Sequence, residues 1–575
     1  MVRPSAHILP AAASLLACFA VAAQTTPPSV AGPAPAVVAP AQQDHPLAEA
    51  IRERVDHLRY EREHNAGDHE IRGARIIMGE GVARYYEAEQ FQPRWQDPAR
   101  LEELIGAIVD MQYDGLDPAD YHLAVLQSFD TDVRGGRALA LGDQADLEIL
   151  ATDAMMLSLY HLYLGKVDPE QLSSQWNFSS RPVDRERGFE RFRQALAAGQ
   201  IETTFDRARP QHAWYQRGRE RLKEYRAIQA AGGWSPISAG PTLKPGMSDP
   251  RVPALRNRLR VTHDLAVDAP ETYPPSLEYD AELEAAVRRF QGRHGLTADG
   301  AVGPGTLAAL NVPVAARIDQ IRVNLERARW VMHELTGEFV LVDVAGFYVS
   351  YFRDDEPIWT SKAIVGRPYR ETPIFKSEIT YVVFNPTWTI PPGILVKDKL
   401  PVIKRDPGYL KRNNIRVIDS SGREVSPYAV NWQRYGAGNL PPYQLRQDPG
   451  EDNALGRVKI MFPNPYLVYL HDTPTKSLFD KDERTFSSGC IRVQKAFELA
   501  ELVLNDPARW NQATMQEAVA SKKMQTVNLA KPVTVMLLYW TAQPTPDGQV
   551  VFRHDVYGRD PATLAALNSD FRRPE

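Results

Sequence analysis

The sequence predicts a multidomain α+β protein in which helical domains come first and a mostly β domain comes last. Three observations support this prediction. Apolar residues recur at helical spacing from about residue 47 to 230. Stretches rich in proline, alanine or glycine interrupt the pattern near residues 24–46 and 232–246. From about residue 338 the pattern changes to short runs of β-branched and aromatic residues, which are typical of strands.

Composition narrows the class of protein. The chain has 575 residues, enough for several domains, and its 43% hydrophobic and 24% charged residues are typical of globular proteins. A formal net charge of −5 gives no electrostatic reason to expect nucleic acid as a partner. We also expect no metal and no other cofactor. His64, Asp68 and His69 lack the spacing of a ligand set, and a solvated polar turn explains them better.

The first 23 residues predict a secretory signal peptide. Arg3 precedes an apolar stretch that ends in small residues, and we expect cleavage after Ala23. A second interpretation takes Cys18 as the acylated cysteine of a lipoprotein anchor, although Leu16 is bulky for that motif. Both interpretations place the protein outside the cytoplasm, and no later apolar run is long enough to span a bilayer. Residues 24–46, rich in proline and alanine, predict an extended linker.

The rest of the chain divides into four predicted parts. These are an α-helical domain at 47–240, a small three-helix unit at 245–312, a mostly β domain at 313–545, and a C-terminal strand and tail at 546–575. An insert at 395–460 in the β domain is rich in proline, glycine, asparagine and basic residues, and is either a lid or a passive decoration. The strand patterns include a run at 466–470 and a closing hairpin made by 533–540 and 550–553.

Cys490 is the residue that points most directly to chemistry. The chain has 2 cysteines, and the other one, Cys18, lies in the predicted signal peptide. A single thiol in an exported protein cannot form an internal disulfide and is exposed to oxidation. Nucleophilic catalysis is the usual reason to retain such a thiol.

Candidates for the other parts of a cysteine acyl-transfer site lie nearby. His471 follows the predicted strand at 466–470 and precedes Cys490 by 19 residues, so a loop can return its imidazole to the sulfur. We expect a neighbouring imidazolium to lower the thiol pKa. Gly489 permits a tight turn whose backbone N–H groups, with that of Cys490, can face an oxyanion. By itself this spacing is a weak signal.

Two segments resemble known families. The runs 290–296, 299–303 and 306–311 are similar to the signature of the small three-helix peptidoglycan-binding domain. His471 followed by Ser487-Ser488-Gly489-Cys490-Ile491-Arg492 resembles the active-site motif of L,D-transpeptidases with a YkuD-type catalytic domain. Further matching segments lie at 364–368, 371–373, 385–391 and 446–450. Nearly the whole mature chain is similar to the large Gram-negative subgroup of that family.

The resemblance implies a fold, an activity and a location. The fold is a scaffold domain, a peptidoglycan-binding domain and a YkuD-type β-sandwich with a capping insert. Cys490 is the nucleophile, His471 the general base and acid, and the product a 3→3 cross-link between diaminopimelate residues of donor and acceptor stem peptides. The location is the periplasm, in proximity to the inner or outer membrane through the cell-wall machinery, and carbapenems are expected inhibitors.

Several residues near the motif have two interpretations. Many family members have a histidine where this chain has Ser488, so a second imidazole is absent, and the Ser488 N–H becomes a further candidate oxyanion donor. Arg492 is either a ligand of a substrate carboxylate or a structural ion-pair partner. Tyr469 and Trp388 either line the cleft or pack in the core, and Asp472 is more simply a polar strand end.

Three alternative functions remain open at this point. The same residues serve an L,D-carboxypeptidase, in which water is the acceptor, or an enzyme that attaches a lipoprotein lysine to the wall. A non-catalytic wall scaffold is the alternative from a different class. The chain has no Ser-x-x-Lys, Lys-Thr-Gly or His-Glu-x-x-His motif, which argues against serine transpeptidases and metalloproteases of those types. The sequence leaves the oligomeric state unknown.

Overall fold

A computed structural model describes residues 46–64, 69–179, 181–182, 184–266 and 275–571. The predicted signal peptide, the linker up to His45 and Cys18 lie outside the described residues. Among the described helices, none is long and apolar enough to cross a membrane.

The helical domain is built around one long central helix. Its elements are α1 (Pro46–His64), β1 (Glu70–Ile71), β2 (Ala74–Arg75), α2 (Gly79–Ala88), α3 (Pro98–Asp110), α4 (Leu123–Arg134), α5 (Leu141–Leu164), α6 (Pro169–Leu172), α7 (Arg185–Ala198), α8 (Ile201–Ala208) and α9 (Ala213–Ala230). Helix α5 is apolar on most sides and is buried along most of its length, because α1, α2 and α8 pack around it.

The three-helix unit comprises α10 (Val252–Val261), α11 (Ala281–Arg293) and α12 (Pro304–Leu310). Leucine, valine and phenylalanine side chains of the three helices form its own apolar core. The Gln291 side chain accepts from Gly300 N–H at 2.9 Å and donates to the Ala301 carbonyl at 2.9 Å. Gly300 has a φ of +76°, so glycine suits this turn, as the motif predicts.

Helix α13 (Val314–Val331) packs with the helical domain. Its Arg329 forms a buried ion pair with Glu326 and donates to the Tyr215 hydroxyl at 2.8 Å. The apolar side chains of α13 belong to the same core as those of α5 and α9. The predicted boundary at residue 313 instead groups this helix with the β domain. A boundary read from periodicity alone does not show which neighbour buries a helix.

The β domain is built around a nine-stranded sheet that closes on itself. Its elements, in chain order, are β3 (Phe339–Asp343), β4 (Tyr348–Arg353), β5 (Glu356–Gly366), β6 (Phe375–Phe384), β7 (Trp388–Thr389), α14 (Pro392–Ile394), α15 (Leu400–Arg405), α16 (Gly408–Arg412), β8 (Ile415–Ile418), β9 (Glu424–Val425), β10 (Gln444–Gln447), β11 (Val458–Met461), β12 (Leu470–His471), β13 (Thr485–Ser487), β14 (Ile491–Val493), α17 (Ala496–Leu504), α18 (Gln512–Ala520), β15 (Gln525–Leu538), β16 (Ala542–Pro544), β17 (Val550–Phe552) and α19 (Asp560–Leu567). Strand order is β13-β5-β14-β12-β11-β6-β15-β3-β4, and β4 pairs again with β5. The multidomain α+β prediction is confirmed.

Two strand predictions are wrong in detail. Of the predicted run at 466–470 only Leu470 is in a strand, which continues to His471, and Leu467 has a φ of +57° with 75% of its surface exposed. Strand β15 does not form a hairpin with β17. It pairs with β6 and β3, and β17 pairs with β16. The loop before Leu470 is irregular because the Asn464 side chain accepts a hydrogen bond from Val468 N–H, which takes the place of a bond to a neighbouring strand.

The insert has its own sheet and its own core. Strands β7, β10, β8 and β9 form a four-stranded sheet, and apolar residues from Trp388 to Leu455 pack together on it. The predicted limits of 395 and 460 are therefore late, because β7 already belongs to the insert and β11 belongs to the main sheet.

Candidate active site

Strands β12 and β14 bring the predicted catalytic residues to neighbouring positions. They pair in parallel, with Leu470 opposite Ile491 and His471 opposite Arg492, and Ile491 N–H donates to Tyr469 O at 3.0 Å. Because side chains alternate along a strand, this register places Tyr469, His471, Cys490 and Arg492 on one face of the sheet. The motif residues that are 19 positions apart are thus side by side.

His471 is held as a neutral imidazole. Its side chain is buried, and Nδ1 lies 2.5 Å from the carbonyl oxygen of Asp472. A carbonyl only accepts, so Nδ1 carries the proton and Nε2 keeps a free lone pair. Burial, followed by the charge of Arg492, lowers the pKa of His471 to about 3. At neutral pH the ring is therefore available as a base.

Cys490 is half-buried and rests as a protonated thiol. Its Sγ lies 3.8 Å from the Leu467 carbonyl oxygen. Burial raises the pKa of Cys490, and hydrogen bonds from Tyr469 with the charges of Lys459 and Arg492 offset only part of the shift. Within the described residues, no hydrogen bond joins Sγ to the His471 ring. The expectation of an imidazolium that holds a thiolate is wrong, since burial disfavours both charged forms.

The turn before Cys490 corrects the predicted oxyanion donors. Gly489 has a φ of +113°, and its N–H donates to Ser487 Oγ at 3.1 Å, so it is not free for substrate. The Ser487 hydroxyl in turn donates to the Cys490 carbonyl at 2.5 Å. In the part of the chain that the structure describes, no acceptor holds the N–H groups of Ser488 or Cys490. Of the three predicted donors, these two groups remain candidates.

Two cations flank His471 on the same face. Lys459 of β11 is opposite His471 in register, and Arg492 is opposite it on the other side. No carboxylate of the described residues lies within 4.0 Å of either side chain, and the buried Arg492 Nε has no hydrogen-bond partner there. The interpretation of Arg492 as a structural ion-pair partner is therefore wrong for the described residues.

Segments of the chain match models of known protein families. Residues 337–535 match the family model described as the L,D-transpeptidase catalytic domain, called YkuD. Residues 337–535 are thus similar to an L,D-transpeptidase catalytic domain. Residues 80–222 match a model described as a scaffold domain, and residues 248–310 match one described as a "Putative peptidoglycan binding domain". The predicted family resemblance is confirmed.

A curated relative and a solved structure are also similar. A protein of Haemophilus influenzae named "Putative L,D-transpeptidase" is 35% identical over 252 residues, which cover 44% of this chain and 50% of that relative. The chain thus spans about half the length of this relative. A crystal structure of the L,D-transpeptidase from Xylanimonas cellulosilytica is 16% identical, covers 52% of this chain and 99% of that chain, and has a TM-score of 0.17. A TM-score of that size supports no conclusion.

The two aromatic residues predicted for the cleft, Tyr469 and Trp388, lie in different places. The Tyr469 ring lies 5.6 Å from the His471 ring, with Lys459 Nζ 4.0 Å from its centroid, so Tyr469 belongs to the site. Trp388 is 9% exposed and packs in the core of the insert. Its placement favours the core interpretation.

Arg370 joins the insert of the β domain to the turn before Cys490. Its guanidinium donates to both carboxylate oxygens of Asp398, at 2.5 and 3.1 Å, and to Ser488 Oγ at 2.8 Å. Sequence reasoning missed Arg370 and Lys459, because neither lies in the Ser-Gly-Cys motif. Lys459 is a charged residue in an otherwise apolar strand, and that pattern is the signal that could have identified it. The described residues contain no group of three or more side chains suited to a metal.

Proposed function

We propose that this protein is a peptidoglycan L,D-transpeptidase that forms 3→3 diaminopimelate cross-links through a thioester on Cys490. The observation that carries the proposal is the parallel pairing of β12 with β14, which sets Cys490 and His471 side by side in a domain that matches the family. The roles assigned below to individual residues are part of the same proposal.

In the first half-reaction, Cys490 becomes acylated. Sγ leaves the Leu467 carbonyl and attacks the carbonyl carbon at the L-centre of diaminopimelate in a donor tetrapeptide, while His471 Nε2 takes the thiol proton. The N–H groups of Ser488 and Cys490 stabilise the oxyanion. When the tetrahedral intermediate collapses, the bond to the terminal D-alanine breaks, and the leaving amine takes the proton from His471.

In the second half-reaction, an amine of diaminopimelate on another stem attacks the thioester. His471 accepts a proton from this amine and returns one to the departing sulfur. The product is an amide between two diaminopimelate residues, and Cys490 is a thiol again. Water at the same position would give the tripeptide instead, which is carboxypeptidase activity.

Lys459 and Arg492 supply a site for the donor's carboxylates. A stem peptide carries several carboxylates close to the scissile bond, and both side chains are half-buried cations without a carboxylate partner among the residues that the structure describes. Hydrogen bonds from charged groups are each worth about 1.5–3 kcal/mol, so both residues can contribute substantially to donor binding.

The other domains are consistent with work at the cell wall. The match at residues 248–310 supports peptidoglycan as the partner, and Thr297 of this domain donates to Asp482 of the catalytic domain at 2.7 Å. We further propose that the protein acts in the periplasm after removal of the first 23 residues.

The products of a defined donor test the proposal. The purified protein is incubated with a disaccharide tetrapeptide that contains diaminopimelate, and the products are measured by mass spectrometry, with Cys490→Ala as the control. A dimer that lacks one alanine supports the transpeptidase. Tripeptide alone would replace it with a carboxypeptidase. If the substrate is unchanged and the wild type and Cys490→Ala bind the wall equally, the result would favour a non-catalytic scaffold.

A further inference from the structure

The peptide plane between Gly489 and Cys490 decides where a candidate oxyanion donor points. In a trans peptide the carbonyl of one residue and the N–H of the next are antiparallel, so fixing the Gly489 oxygen fixes the direction of the Cys490 N–H. The hydroxyl of Thr372 donates to Gly489 O at 2.8 Å. Thr372 is completely buried and lies 118 positions before Cys490 in the chain.

The Thr372 hydroxyl is itself oriented by its surroundings. It accepts from Gly366 N–H at 2.9 Å, so its single proton is committed to Gly489 O. Gly366 ends strand β5, and a Cβ there would lie 2.1 Å from Arg370 O. The close approach of the two backbone segments is thus possible only with glycine.

Tyr557, which lies outside the family match, forms hydrogen bonds to both backbone segments, the one at Gly366 and the one at Thr372. Its hydroxyl donates to Gly366 O at 2.7 Å and accepts from Thr372 N–H at 3.1 Å. Each backbone segment that orients the Thr372 side chain therefore makes one hydrogen bond to the same phenol. Tyr557 lies between β17 and α19, beyond residue 535, where the match to the catalytic-domain model ends.

The C-terminal segment is fixed on both sides of Tyr557. The Tyr539 hydroxyl donates to Asp555 at 2.6 Å and accepts from Tyr557 N–H at 3.0 Å, and the two rings stack with centroids 5.6 Å apart. Arg559 donates to Glu371, the residue before Thr372, at 2.6 Å. The segment is thus held against the loop that contains Thr372.

We propose that Tyr557 is a positioning residue for the transfer reaction, and that it acts through Thr372 on the Gly489–Cys490 peptide. The inference rests on the proposed function, because it assumes that Cys490 N–H stabilises the acylation oxyanion. Loss of the Tyr557 hydroxyl leaves Gly366 O and Thr372 N–H without a partner, frees the Thr372 hydroxyl to turn, and weakens the oxyanion site while leaving the thiol intact.

The test compares two reactions of Cys490 in the full-length protein. Acylation by a carbapenem passes through an oxyanion, whereas alkylation by iodoacetamide does not. We expect Tyr557→Phe to slow acylation about tenfold, less than the loss of a direct oxyanion donor, and to leave alkylation unchanged. Thr372→Val should slow acylation at least as much, Thr372→Ser should restore most of the rate, and Tyr557→Phe should add little to Thr372→Val.

Tyr351→Phe is the matched control, since its buried phenol donates to Glu338 and is not bonded to the turn. Acylation at the wild-type rate in both Tyr557→Phe and Thr372→Val would overturn the inference. Equal slowing of acylation and alkylation, or equal slowing in Tyr351→Phe, would also overturn it, since general loosening of the domain has those effects. If the wild-type protein is not acylated at all, the proposed function fails instead.

Discussion

His471 Nδ1 lies 2.5 Å from the carbonyl oxygen of Asp472, and this contact fixes the tautomer of the proposed base. The Asp472 side chain is engaged elsewhere, with Lys476 and with Arg457 N–H. A neutral acceptor orients the ring without stabilising its protonated form as strongly as a carboxylate would. Burial and the charge of Arg492 outweigh this hydrogen bond, which by itself raises the pKa, so His471 stays unprotonated far below neutral pH.

The depressed pKa of His471 predicts loss of stability in acid. The unfolded chain binds a proton on this residue near pH 6.5, whereas the folded chain does so only near pH 3. Its contribution to stability is therefore complete above pH 6.5 and falls as the pH decreases, by about 1.4 kcal/mol per pH unit. Urea unfolding of the wild type and of His471→Gln between pH 4 and 7 measures the difference, with a shallower slope expected for the variant. Parallel slopes would contradict this pKa.

The raised pKa of Cys490 predicts a slow thiol at neutral pH. Because burial favours the protonated form, the rate of iodoacetamide alkylation should keep increasing up to and beyond pH 9. The same thiol in a denatured sample serves as the control and should level off near its ordinary value. A plateau below pH 7 in the folded protein would indicate a thiolate–imidazolium pair.

The cations next to His471 predict a role in donor binding. Lys459→Met and Arg492→Met should each raise KM for a tetrapeptide donor by about tenfold or more, because a charged hydrogen bond is lost. Lys495→Met is a suitable control, since Lys495 is exposed and paired with Glu498. Steady-state kinetics with a donor whose terminal carboxylate is amidated should show a smaller penalty. Equal KM values in wild type and both variants would exclude the carboxylate site.

The contact of Arg370 with Ser488 and Asp398 predicts that the insert is coupled to the nucleophile turn. Arg370→Ala should increase hydrogen exchange in residues 395–405 and slow carbapenem acylation, because both partners lose their bond at once. Arg412→Ala removes an exposed ion pair with Asp406 in the same insert and should do neither. Faster exchange without slower acylation would mean that Arg370 only anchors the insert.

The sequence predicts the parts of this site that are local and fails on those that depend on distant contacts. Cys490, His471 and the turn between them are recognisable from a short motif and a strand pattern. The Gly489 prediction is wrong because the hydroxyl of Ser487, two residues away, accepts the same N–H. Thr372 contacts the turn and Tyr557 contacts Thr372, each from a position more than 60 residues away from Cys490 in sequence, and no periodicity or spacing connects them to the turn.

Burial accounts for the second main difference between the sequence predictions and the structure. An imidazolium next to a thiolate is a reasonable expectation for a solvated pair, but His471 is 3% exposed. The sequence does not show how deeply a strand end is covered, and here the insert and strand β11 contribute to that burial. The sequence also does not show which domain buries helix α13, because its apolar residues are compatible with packing against either neighbouring domain.

Direct detection of the acyl-enzyme tests the central claim most closely. The wild-type protein is mixed with a diaminopimelate tetrapeptide donor, quenched in acid and digested, and the peptide that contains Cys490 is analysed by mass spectrometry. We predict a mass increase equal to the donor minus alanine, located on Cys490 and absent from Cys490→Ala. Turnover to cross-linked product without any adduct on Cys490, or with equal turnover in Cys490→Ala, would contradict the account.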